Sequence, residues 1–165
     1  MSRLGAILIT SALAALLAAA PASARSYRAG ALEIADPWTR PAPAGAMAVG
    51  YMVIRNAGKA PVTLVSARSP LARKVTLHQT TVAGWVARMA ALPRGLAVAA
   101  GGAVALAPGG YHLMLEGLAK PLAVGGAAPL TLVFSNGQTV QVDLAVQTQP
   151  SAPAASMAGM DHSRH

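Results

Sequence analysis

The sequence predicts an all-β domain, an antiparallel sandwich or small barrel, and three observations carry that prediction. Apolar residues alternate with others in runs of strand length, the signature of half-buried strands. Gly, Pro and Asn break those runs at close spacing. Alanine is abundant, yet beyond the first two dozen residues it sits among Val, Gly and Pro, and no helical stripe survives.

The chain has 165 residues, enough for one ordinary domain. Its opening, "MSRLGAILITSALAALLAAAPASA", places Arg3 before an apolar run and ends in Ala22-Ser23-Ala24. A basic start, a short apolar stretch and a small-x-small close are the layout of a secretory leader. Residues 1–24 are therefore expected to be removed after Ala24, and the mature chain to be exported without a membrane span. Strands are expected at Leu32–Ala35, Met47–Arg55, Val62–Ser66, Lys74–Gln79, Trp85–Met89, Leu96–Ala99, Ala103–Leu106, Tyr111–Leu115, Leu130–Phe134 and Thr139–Val146. The breaks "PAPAG", "RNAGKAP", "VAG", "LPRG", "AGG", "APGG" and "KPLAVGGAAP" separate them. Ser135-Asn136-Gly137-Gln138 is an Asn-Gly hairpin signal between the last two. The domain is expected to span 25–147. The remainder, 148–165, is Pro, Ala, Ser and Gln with no apolar period, and reads as a flexible tail.

Composition narrows the chemistry. The formal charge of +8 falls to +7 without Arg3. The basic residues are scattered, with only Arg73 and Lys74 adjacent in the mature domain, and aromatics for base stacking are few; nucleic acid is not an expected partner. Cysteine is absent, so no disulfide braces the fold and any soft-metal site must use Met and His.

Four histidines occur: His78, His112, His162 and His165. In "GGYHLML", residues 109–115, Tyr111, Leu113 and Leu115 share one strand face, while His112 and Met114 share the other. In "KVTLHQT", Val75 and Leu77 point inward and His78 outward. A hairpin through "TTVAG" can carry Met89 back to His78. If a neighbouring strand supplies His112 and Met114, two imidazoles and two thioethers form an N₂S₂ set. Thioether sulfur is soft and uncharged and favours Cu(I). Zinc would call for Cys or carboxylate, and calcium for more acids than the five present. On residues alone the alternative stays open that the methionines fill a core and the histidines are solvated. Met47 and Met52 are read as packing.

The ordered segments resemble the periplasmic copper chaperones of the PCuAC type. "DPWTRPAPAGAMAVGYMVIRNAG" resembles the family's opening; "ARKVTLHQTTVAGWVARM" resembles the segment with its first His and first ligand Met; "LAPGGYHLMLEGLAKPL" resembles its His-x-Met segment. The resemblance covers most of the mature chain. It implies a cupredoxin-like Greek-key β-sandwich or barrel, Cu(I) held by His78, Met89, His112 and Met114, and delivery to a copper acceptor. That acceptor would be the dinuclear centre of cytochrome c oxidase, reached directly or through a thiol-bearing assembly factor. Many members place a Met two residues after the first His; here Thr80 stands there. Some carry a Met/His extension, which "MAGMDHSRH" resembles. Met157, Met160, His162 and His165 are thereby implied as a looser second site that takes Cu(II).

Three function classes compete. A copper carrier fits the soft donors. An enzyme lacks a Ser-His-Asp set, a Cys nucleophile and a convincing pair of carboxylates. A metal-free β-sandwich interaction module would leave the His and Met incidental, and sequestration rather than delivery remains an alternative role for a carrier.

Overall fold

The computed structural model describes residues 25–148. The expected leader, residues 1–24, and Met157, Met160, His162 and His165 lie outside the described residues. Eleven strands form: β1 Ser26–Ala29, β2 Leu32–Thr39, β3 Ala48–Asn56, β4 Val62–Arg68, β5 Ala72–Ala83, β6 Val86–Ala91, β7 Leu96–Val98, β8 Ala103–Leu106, β9 Tyr111–Leu118, β10 Ala127–Phe134 and β11 Thr139–Val146. No helix occurs among the described residues, as the alternating patterns predict. The strands hydrogen-bond in one sheet, in the order β6-β5-β9-β8-β3-β2-β11-β10-β4-β7, with β1 beside β2. β5 and β9 are neighbours although three strands separate them in sequence, so the topology brings together segments that the chain keeps apart.

The core follows from strand parity. Ile34, Ile54, Leu113, Leu115, Leu132 and Leu144 are buried from different strands and pack in one cluster. Met52 belongs to that core, whereas Met47 is exposed just before β3. Burial of this apolar surface is what holds a chain without disulfides.

Three local details depart from the sequence expectation. A further strand, β1, forms where none is expected; it pairs only with β2 and buries little. β2 continues past Ala35 through a one-residue irregularity at Asp36-Pro37, where Asp36 adopts a φ of 48°. The extra residue flips the parity. Trp38, in numerical phase with core residues Leu32 and Ile34, stacks instead on Tyr51 of β3, ring centroids 4.7 Å apart. The β10–β11 connection closes with Gly137 at φ 82° and its N–H donating to the Phe134 carbonyl at 3.0 Å. The other positions of the Asn-Gly turn keep negative φ. This is the longer glycine-bulge hairpin rather than the two-residue form.

Asn56 ties one end of the domain. Its side-chain amide donates to the carbonyls of Ala60, Val98 and Ala99 at 2.9, 3.3 and 3.2 Å, and its Oδ1 accepts from Gly58 N at 2.9 Å. Asn56 is 2% exposed, so Asn56→Ala strands several polar groups away from water. We expect a loss of about 1–3 kcal/mol in chemical denaturation, with no change in metal affinity.

Candidate metal centre

The four candidate ligands share the outer face of β6, β5 and β9 by strand register. In β9, Leu113 and Leu115 are 1% and 0% exposed, which sends His112 and Met114 to the opposite face. Register places His78 directly across from His112, and Thr76 across from Met114. A two-residue turn at Gly84-Trp85 reverses the chain into β6, with Gly84 at φ 60° in the position that favours glycine. The strand expected at Trp85–Met89 therefore begins one residue later, and Trp85 belongs to the turn. Thr80 lies opposite Met89, and Ala91 opposite His78. Met89 is thus one diagonal step from His78, and its thioether swings inward across that step.

The side chains converge unequally. The Sδ of Met89 lies 3.2 Å from Nε2 of His112. The rings of His78 and His112 are 5.8 Å apart between centroids, tilted by 49°. Met114 is half-buried on the same face, beyond the His78–His112 pair, and forms no hydrogen bond among the described residues. His112 is buried although it belongs to the outer face, while Met89 is 55% exposed. The inner members are shielded and one outer member is open to solvent. Val49 pairs with Met114 across β3–β9, and Tyr51, two residues along the same face, extends an apolar flank toward Trp38. Burial pushes the Tyr51 phenol up from its ordinary value, so it stays neutral.

Hydrogen bonding fixes which atoms are free to bind. His112 Nδ1 is 3.1 Å from the Gly110 carbonyl, which can only accept. In the neutral ring that carbonyl selects the tautomer with the proton on Nδ1, which leaves the Nε2 lone pair for a metal. Met89 Sδ faces that nitrogen at 3.2 Å. Two bases at that distance suit a shared cation: donors at about 2.0 Å (N) and 2.3 Å (S) from one tetrahedral ion sit roughly 3.5 Å apart. His78 supplies a second sign, because its Nδ1 is buried without a partner, an uncommon and costly state for a polar atom. Among the described residues no three His, Cys, Asp or Glu side chains gather as a metal site. The thioethers on this face, beside the two imidazoles, favour a soft, low-charge metal.

Thr80 fills the position where the resemblance leads one to look for Met, and it faces Met89 in register. Thr80→Met adds a third thioether beside Met89. We expect Cu(I) affinity to rise several-fold in a chelator competition, with stability little changed on this half-exposed strand.

Residues 32–146 match the family model described as "Putative lipoprotein LpqE-like". The chain belongs to the LpqE-like family. One relative of this LpqE-like protein, "Putative lipoprotein Lxx21020" of Leifsonia xyli subsp. xyli (strain CTCB07), is 33% identical over 129 residues, 77% of each chain. Among solved structures it is similar to the copper-bound PCuAC domain from PmoF2, with 30% identity and a TM-score of 0.63, over 74% of this chain and 97% of that one. It is also similar to the Cu(I) form of DR1885 from Deinococcus radiodurans. There the identity is 34% and the TM-score 0.55, over 67% of this chain and 74% of that one. These likenesses agree with the cupredoxin-like β fold that the sequence resemblance implies.

Proposed function

We propose that the protein is an exported copper chaperone that holds one Cu(I) at His78, Met89, His112 and Met114 and passes it to an acceptor. The observation that carries this reading is the 3.2 Å approach of Met89 Sδ to the lone-pair nitrogen of His112, beside the unpartnered Nδ1 of His78. The copper carried by the related PCuAC domain and by DR1885 supports it.

Copper is the cargo here, and the chain's own residues account for loading and release. β9 holds His112 and Met114 on one rigid strand, and β5 adds His78 through the paired register. Met89 rides on the edge strand β6, mostly exposed, and is the ligand best placed to give way as an acceptor's soft donor enters. Neutral thioethers let the ion leave without separating it from a bound anionic ligand.

The fuller proposal has four parts. Residues 1–24 direct export and are cleaved after Ala24, 25–147 form the copper domain, and 148–165 are a tail whose Met157, Met160, His162 and His165 collect further copper, including Cu(II). The compartment is the periplasm. The recipient is the dinuclear copper centre of cytochrome c oxidase, directly or through a thiol-bearing assembly factor. The role is that of a carrier and not of an enzyme.

Mixing the Cu(I)-loaded protein with a reduced apo form of that oxidase domain tests delivery. Appearance of the dinuclear centre after reoxidation supports it, and copper retained by the carrier contradicts it. Removing residues 149–165 should abolish Cu(II) uptake and leave one Cu(I) bound; Cu(II) binding that survives the truncation contradicts the tail's role.

A further inference from the structure

The β5–β6 hairpin runs on where the sheet stops. β9 accompanies β5 only as far as Gln79, paired with Tyr111, and the last tie is Thr80 N–H donating to the Gly110 carbonyl at 3.0 Å. Beyond it the two strands have only each other. Every residue from Thr81 to Ala91 is exposed. A ribbon with no buried face has no packing use for apolar side chains, yet this one ends in three: Val82 at 65%, Val86 at 56% and Trp85 at 103% exposure. Trp85 projects from the turn itself. The other tryptophan, Trp38, is 6% exposed and stacked on Tyr51. Apolar groups gathered at a protruding tip mark a contact surface.

Charge says what kind of surface. No Asp or Glu occurs between Asp36 and Glu116, while Arg40, Arg55, Lys59, Arg68, Arg73, Lys74, Arg88 and Arg94 all do. The nearest acid, Glu116, is taken up by Thr76 at the far end of β5, roughly 25 Å along the strand from the turn. Among the described residues the one ion pair, Arg28–Glu33, belongs to β1 and β2. Arg88 stands on β6 about 7 Å from the Val86 row at the tip. An aromatic ring at an apolar apex with an arginine about one headgroup depth behind it is the arrangement that seats a protein in an anionic lipid interface.

We propose that the β5–β6 hairpin is a membrane-docking prong, with Val82, Trp85 and Val86 entering the interface of an anionic bilayer and Arg88 meeting the lipid phosphates. This is peripheral attachment: no helix among the described residues is long and apolar enough to cross a membrane. The docking stands on the hairpin alone. Its consequence for transfer rests on the copper reading: Met89 is about 10 Å behind the tip row, so docking holds the exposed ligand at the level of the headgroups, where a membrane-anchored acceptor would meet it.

The test uses the full chain with vesicles of mixed phosphatidylglycerol and phosphatidylcholine, against vesicles of phosphatidylcholine alone. Emission from exposed Trp85 should shift to the blue and be quenched by shallow brominated lipid, on the anionic vesicles only, and the effect should fade at high salt. Partition of Trp85→Ser should be at least about tenfold weaker than that of the parent; Arg88→Glu should weaken it several-fold. Comparing variants of one chain cancels any contribution from the leader. Cu(I) affinity of Trp85→Ser should equal the parent's, so failure of docking and failure of the copper reading are told apart. Unshifted Trp85 emission on anionic vesicles, or equal partition of parent and Trp85→Ser, overturns the proposal and leaves the tip as a protein contact.

Discussion

Replacing His112 with alanine should weaken Cu(I) binding by more than about a hundredfold, beyond the 10–100-fold that loss of an outer-shell partner costs. His112 is the hub of the proposed centre. It touches Met89 at 3.2 Å, faces His78 in register and precedes Met114 by two residues on the same strand. Its removal takes a nitrogen donor and also the group against which Met89 rests. Met89→Ala should cost less, because that side chain is exposed and water or an external donor can enter in its place. The ordering is the informative part, and a Cu(I) competition titration against a calibrated chelator reads it. Equal, small losses in both variants would place the copper elsewhere.

Leu113→Ala should have the largest effect on stability, a loss of about 2–5 kcal/mol. Leu113 is 1% exposed and lies between His112 and Met114 of β9, paired with Gly50 on one side and Leu77 on the other. Gly50 has no side chain to refill the space left behind, and the strand that carries His112 and Met114 loses its anchor. Urea denaturation measures the loss. On the copper-chaperone proposal Cu(I) binds the folded chain, so saturating copper should restore part of the midpoint. A variant that is destabilised but not rescued by copper would show that the site no longer assembles.

Much of this was legible in the sequence because it depends on parity. "GGYHLML" divides into core and outer face by alternation alone, and the structure keeps that division. All ten expected strands exist, Ala103–Leu106 and Thr139–Val146 with the expected ends and the others with shifted ones, and most owe their patterns to one buried face; β6, exposed throughout, does not. What was not legible depends on geometry that parity does not encode. The irregularity at Asp36-Pro37 inverts the phase of β2 and buries Trp38 against Tyr51 rather than with Leu32 and Ile34. β1 is only four residues long, and its alternation of Tyr27 and Ala29, half-buried against the core, is too brief to read as a strand. Trp85 reads as a strand residue until the Gly84-Trp85 turn is seen. The juxtaposition of β5 and β9, on which the site depends, is a long-range pairing that no local pattern specifies. The burial of His112 on a nominally outer face follows from Met89 folding over it, which is likewise a tertiary effect.

The most direct measurement of the central claim is the X-ray absorption spectrum of the protein loaded with one equivalent of Cu(I). The account predicts a first shell of two imidazole nitrogens and two thioether sulfurs, and loss of one sulfur in Met114→Ala. A shell of nitrogen and oxygen alone, or a spectrum unchanged in Met114→Ala and His112→Ala, would contradict it.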